Sequence, residues 1–303
     1  MIRPGRPPLP KKRPRPTLNW RERLARWRAW AGGVLFVTTV GAAGVGVVAL
    51  EPRAKALTSG PVRLEWVNLP MWLSDPAQAA FLRQRERDAG LTQQDTIHDP
   101  ALCRTVSERL AASPWIASVK RVQAVADRRL RVEAAFRMPV AMVSSAGMAY
   151  LVDRDGVRLP LQAPADQVDR RDWLVISGAR AGVPQVGQPW PGDDLAAGLK
   201  LVTYLLNEQV AGRVSFRPLL RGVDVSNVGL RKDRSAGELQ LVLSNPHAPV
   251  HWGLPPTEEY GTERPAASKV QVLNELFDSQ TLQSAQREID IRDRTRVLTR
   301  SPR

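Results

Sequence analysis

Cysteine is nearly absent from these 303 residues: Cys103 stands alone, so no internal disulfide and no cysteine-based metal site can be assembled. Stability must come from a hydrophobic core instead. Histidine is almost as scarce. His247 and His251 are four apart, but Pro246 and Pro249 exclude the helix that would bring them to one face, and no third ligand is nearby. No G-x-S-x-G elbow occurs, and the stretch GDDLAAGLK fails as a phosphate loop, because five residues separate Gly192 from Gly198 and Leu199 precedes Lys200. Asp153 and Asp155 imitate the start of a calcium loop, yet Val157 and Leu159 after them belong to a hairpin. The expectation is a chain with no catalytic residue, no metal, no cofactor and no small-molecule substrate.

Charge, by contrast, is abundant and one-sided. The formal net charge is +14, and residues 1–28 carry ten Lys and Arg against the single acid Glu22. The excess lies in a Pro-rich arm, RPGRPPLPKKRPRP, that cannot hold a helix or a strand, so it is not the basic footprint of a folded nucleic-acid-binding domain. Ala29–Leu50 then runs for 22 residues without one charged side chain. A helix of that length spans about 33 Å, enough for a bilayer core of about 30 Å. Trp27 and Trp30 flank its start, and the cations before it outnumber Arg53, Lys55 and Arg63 after it, which places the N-terminus in the cytoplasm. Ala54-Lys55-Ala56 has the form read by a signal peptidase, but the run exceeds a signal h-region of about 7–15 residues, so an uncleaved anchor is expected. On either reading residues 51–303 are exported.

In the exported part, VRLEW alternates as a short strand, and Ser74-Asp75-Pro76 and Asp99-Pro100 each open a helix. The stretch SPWIASVKRV ends the second helix at Pro114 and leads into a strand. Its Trp115 and Ile116 are expected to lock the helix end onto the sheet, with Lys120 and Arg121 in solvent, rather than to stack on and grip a nucleic acid. RRLRVEAAFR alternates with period two over Leu130, Val132, Ala134 and Phe136. Beyond it, Asp155-Gly156 marks a hairpin, WLVISG, RGVDVSNVG, ELQLVLSN and APVHWGL read as strands, and helices are expected from Asp193 and over ASKVQVLNELFDSQ.

The order strand, helix, helix, strand, strand resembles a polypeptide-transport-associated (POTRA) domain. PWIASVKRV, then LRV, RMPVAMV and YLVDRDGVRL, and the closing IDIRDRTRV, together resemble the bacterial cell-division family FtsQ/DivIB. Ala126 and Phe136 depart from the usual Pro and Glu of that pattern, and the strand around Trp66 lacks the usual Val-x-Gly, which marks a divergent member. The fold class expected is therefore α+β: a single N-terminal transmembrane helix, a POTRA-like β-α-α-β-β domain, then an antiparallel β-rich domain with two helices. The expected domains are a basic arm at 1–28, the span at 29–50, the POTRA-like domain at 57–137 and the β domain at 138–300. The resemblance implies a non-enzymatic, bitopic inner-membrane scaffold that joins FtsB/DivIC-like and FtsL-like proteins and helps regulate septal peptidoglycan synthases. A POTRA-like module for envelope transport or assembly is the alternative. From Glu288 onward, Ile289, Ile291, Thr295, Val297 and Thr299 share one parity. With no later segment to cover it, this closing strand is expected at a sheet edge. The resemblance gives Ile289, Asp290, Ile291 and Arg292 the role of accepting a partner strand.

Overall fold

The computed structural model describes residues 61–300, apart from residues 98 and 171. The arm at 1–28, the expected span Ala29–Leu50 and the Ala54-Lys55-Ala56 motif lie outside the described residues. Among those described, no helix is long and apolar enough to cross a membrane.

The chain first builds a three-stranded sheet. β1 (Arg63–Trp66) is followed by α1 (Asp75–Asp88), α2 (Leu102–Ala111), β2 (Ile116–Val125) and β3 (Arg129–Phe136), and the strands lie in the order β1-β3-β2. β1 runs parallel to β3, because two helices intervene, whereas β2 and β3 form a hairpin. That hairpin turns at Asp127 and Arg128, both at φ near +60°, the pair of left-handed residues a type I′ turn requires. The Ser74 side chain makes no capping hydrogen bond to α1. Asp99 Oδ1 does accept the Ala101 N–H, at 2.8 Å, just ahead of α2. Val106 and Leu110 of α2 meet Ile116, Leu130 and Val132 in the core beneath the sheet.

At Arg137 the chain passes into a second, nine-stranded sheet. Its strands are β4 (Pro139–Ser145), β5 (Met148–Asp153), β6 (Arg158–Pro164), β7 (Val175–Ser177), β8 (Leu220–Asp224), β9 (Leu239–Leu243), β10 (Val250–Gly253), β11 (Glu288–Asp290) and β12 (Leu298–Arg300). They lie in the order β12-β11-β10-β9-β8-β7-β4-β5-β6. The helices are α3 (Asp193–Val210), α4 (Ala266–Asp278) and the single turn α5 (Thr281–Ser284). One face of the sheet buries Ile176, Val223, Leu241, Val250 and Ile289 against Leu201, Leu205, Val270 and Leu273 of α3 and α4.

This sheet corrects the expected fold class. The chain is mixed α/β with a large nine-stranded sheet and few helices, not an α+β chain ending in an antiparallel domain, because β4/β7, β7/β8 and β10/β11 pair in parallel. The cause lies in the connections. α3 lies between β7 and β8, and α4 and α5 lie between β10 and β11, and a helical crossover returns the chain in the direction it left. Short links, such as Ala146-Gly147 between β4 and β5, give antiparallel pairs, as does the helix-free segment 225–238 between β8 and β9.

The two sheets meet around Trp115. Its ring stacks on Trp72 at 6.0 Å and meets Phe81 edge-on at 5.4 Å, while Phe81 also meets Phe136. The same indole packs on Met142, Leu151 and Leu159 on the outer face of the large sheet. The Trp115 carbonyl accepts the Arg137 N–H at 2.9 Å, and the Arg137 guanidinium donates to the buried Asp153 carboxylate at 2.8 Å. Asp153 Oδ1 in turn accepts the N–H groups of Asp155 and Val157, which closes the β5–β6 turn. Lys120 and Arg121 are exposed on β2, away from this cluster.

Candidate functional site

β9, β10 and β11 each alternate apolar and polar residues, and their register sorts the two kinds onto opposite faces. Leu241, Val250 and Ile289 are aligned in the core, while Gln240, His251 and Asp290 are aligned on the other face, with Asp224 of β8 continuing the polar row beside Gln240. Gln240 Nε2 donates to His251 Nδ1 at 3.3 Å, and His251 Nε2 donates to the Glu288 carboxylate at 2.9 Å. Both nitrogens of this buried imidazole are thus engaged, so His251 straps β11 to β10 and β9. Residues 226–238 wrap over the row and leave an open pocket of about 650 Å³, lined by Asp224, Asn227, Asp233, Gln240, His251 and Glu288. His247, the other histidine of the sequence pair, sits exposed in the turn before β10. No three His, Cys, Asp or Glu side chains among the described residues are grouped to hold a metal ion.

The four residues expected to accept a partner strand lie at the end of this row. Ile289, Asp290 and Ile291 are buried, and Arg292 is half-buried. They are not at the outermost edge. The chain turns after Ile291 and returns as β12, which pairs antiparallel with β11 through Glu288/Arg300, Ile289/Thr299 and Asp290/Leu298. The sequence parity ran through this turn because both short strands happen to share it. The Ile289 and Ile291 N–H groups donate inward, to the carbonyls of Pro249 at 3.0 Å and His251 at 3.4 Å. Asp290, between them, therefore directs its N–H toward β12.

Charge holds the hairpin's shape. Arg292 reaches back to Asp290 with Nε on Oδ1 at 2.9 Å and an Nη2 on Oδ2 at 2.7 Å, a bidentate pair, and also donates to the Ser235 carbonyl at 2.8 Å. Donation to the Asp290 carboxylate holds the Arg292 guanidinium above its ordinary range. Beneath, the fully buried Lys269 of α4 lies 5.0 Å over the Trp252 ring, 2.6 Å from Glu263 and 4.0 Å from Glu259. Desolvation pushes this ammonium below the usual lysine range despite the opposing pull of Glu263 and Glu259. Sequence reasoning missed Lys269, Glu263 and the polar row. Alternation in LQL, VHW and EID held the signal for the row; nothing local marked Lys269, which sits in an otherwise amphipathic helix.

The arrangement can present backbone groups. Outward of β12 no further strand of the described residues pairs, Thr299 is exposed, and no proline interrupts residues 288–300. No protein-family model matches this chain, and no curated protein matches it either.

Proposed function

We propose that the chain is a non-enzymatic, bitopic cell-division scaffold of the FtsQ/DivIB type at the inner membrane, with the N-terminus cytoplasmic and residues 61–300 periplasmic. Its partners are FtsB/DivIC-like and FtsL-like proteins, and through them it helps regulate septal peptidoglycan synthases. The membrane part rests on the charge asymmetry around residues 29–50 and on the absence of charge within that run. The partner part rests on the ordered motifs and, above all, on one observation: among the described residues the sheet ends in the short strand Leu298–Arg300, carried by β11. A partner strand extends the sheet there by β-augmentation, with main-chain hydrogen bonds supplying much of the affinity. Arg294 and Arg296, both exposed, favour an acidic segment.

Co-purification from solubilised membranes tests this. The full chain should recover FtsB/DivIC-like and FtsL-like proteins. Asp290→Pro deletes the N–H directed at β12 and should reduce recovery at least tenfold. Arg292→Glu reverses the Asp290 pair and should reduce it less. Full recovery by both folded variants, or none by the wild-type chain, would rule the site out.

A further inference from the structure

We infer that the buried Lys269 is a positioning residue for the partner edge, acting through Glu263 on the turn between β11 and β12. This deepens the proposed function and rests on it. Lys269 Nζ holds Glu263 Oε1, which also accepts the Leu254 N–H at 2.8 Å, just past the end of β10. Gly253 at φ +98° is required there, because a Cβ would collide with that same carboxylate. Glu263 is thereby fixed from two sides, and the segment carrying it grips the chain leaving β11. The Arg264 N–H donates to the Arg292 carbonyl at 2.6 Å, and the Arg264 guanidinium donates twice to the Asp293 carbonyl, at 3.0 and 2.6 Å. Arg294 answers in the other direction, its Nε donating to the Glu263 carbonyl at 3.0 Å and its N–H to that of Thr262 at 3.3 Å. Glu263 and Asp293 complete an isolated bridge.

The consequence is a division of labour within the last residues. Residues 292–294 are docked onto 262–264, whereas β12 has an exposed Thr299 and a half-buried Leu298. β12 therefore depends on the direction in which the turn sends it. That direction is set by Glu263, and Glu263 by Lys269. Here removal of the cation leaves the half-buried Glu263 carboxylate, beside the turn, with the Leu254 N–H but without its ionic partner.

Native-state hydrogen exchange on the full chain, followed by partner co-purification, tests the brace. Lys269→Met should speed exchange of the Asp290 and Leu298 amides at least tenfold, while amides of β4 and β5 change less than about threefold. Partner recovery should fall at least fivefold. Should Lys269→Met fail to fold, Glu263→Gln serves, since it keeps an acceptor for Leu254 and removes the charge. Unchanged protection at Asp290 and Leu298, or an equal loss in β4 and β5, would overturn the inference, and so would local loosening with undiminished partner recovery. Failure of the wild-type chain to recover any partner would instead overturn the proposed function, and the exchange measurement would still decide whether the brace exists.

Discussion

The nine-stranded sheet has two edges, and they are treated differently. At β6 the Arg158 N–H and carbonyl already bond to Gln188 and Gly187 of a covering loop, at 3.0 and 2.7 Å. Its guanidinium lies 4.6 Å over the Tyr150 ring. Farther along the strand, Pro160 and Pro164 have no N–H to offer. At β12 neither a loop nor a proline of the described residues covers the edge. One edge is closed by covalent chemistry and covering; the other is short and braced from beneath. Edge protection is the common need of β proteins, and the asymmetry is what the proposed pairing at β12 draws on.

The sharpest way to separate the two ends is to damage the β6 side alone. Trp115 packs between the small sheet and the outer face of β4, β5 and β6. Trp115→Ala should cost about 3 kcal/mol in denaturant unfolding, the low end for a large aromatic because the ring is only partly buried. Co-purification of the partners should survive wherever the variant is folded. Loss of partner at unchanged stability would mean that the junction, not β12, is the docking side.

A smaller effect is expected at the middle of the sheet. Burial pushes the Asp194 carboxyl up, but the Arg180 and Leu195 N–H groups, at 2.9 and 2.8 Å, and Arg231, at 3.1 Å, together outweigh it and leave it below the usual carboxylate range. A folded-state value below the unfolded one adds stability that is present above pH ~4 and is lost as pH falls through the folded value. Asp194→Asn should therefore cost about 1–2 kcal/mol at pH 7 and progressively less below pH 4, as read by urea unfolding at both. Equal costs at the two pH values would remove the ionic explanation. Exchange rates at β6 and β12 should change alike, since Asp194 belongs to neither edge.

How far the sequence could be read follows the range of the interactions. Period-two alternation found β3, and Asp155-Gly156 found the β5–β6 turn, because both signals are local. Strand direction is not local. WLVISG, the helix from Asp193 and RGVDVSNVG already form a strand-helix-strand series, which implies a parallel pair. The hairpin signals around them drew the reading toward an antiparallel sheet. The closing site was half legible: EIDI alternates, but the turn after Ile291 is built by Arg264, Glu263 and Lys269 from about 25 residues upstream, and no pattern in IDIRDRTRV contains them.

The smallest expected effect tests the closed edge directly. Pro160 is exposed on β6 and bonds to nothing through its nitrogen, so Pro160→Thr removes no hydrogen bond and restores one backbone N–H. Thr is a better strand former than Pro, and the position tolerates extended geometry, so unfolding stability should move by no more than about 0.5 kcal/mol. Self-association should change more than stability. The added donor gives a second chain one more backbone group on this edge to pair with. Sedimentation of detergent-solubilised chain should then show a weak, concentration-dependent dimer for Pro160→Thr that is absent from the wild type. The β12 edge is present in both and serves as the internal control. A variant that stays as monodisperse as the wild type would mean that the 184–188 loop, rather than the prolines, closes β6. Deleting the Arg158 contact to the Pro184 carbonyl, 2.7 Å away, with Arg158→Ala should then expose the edge instead.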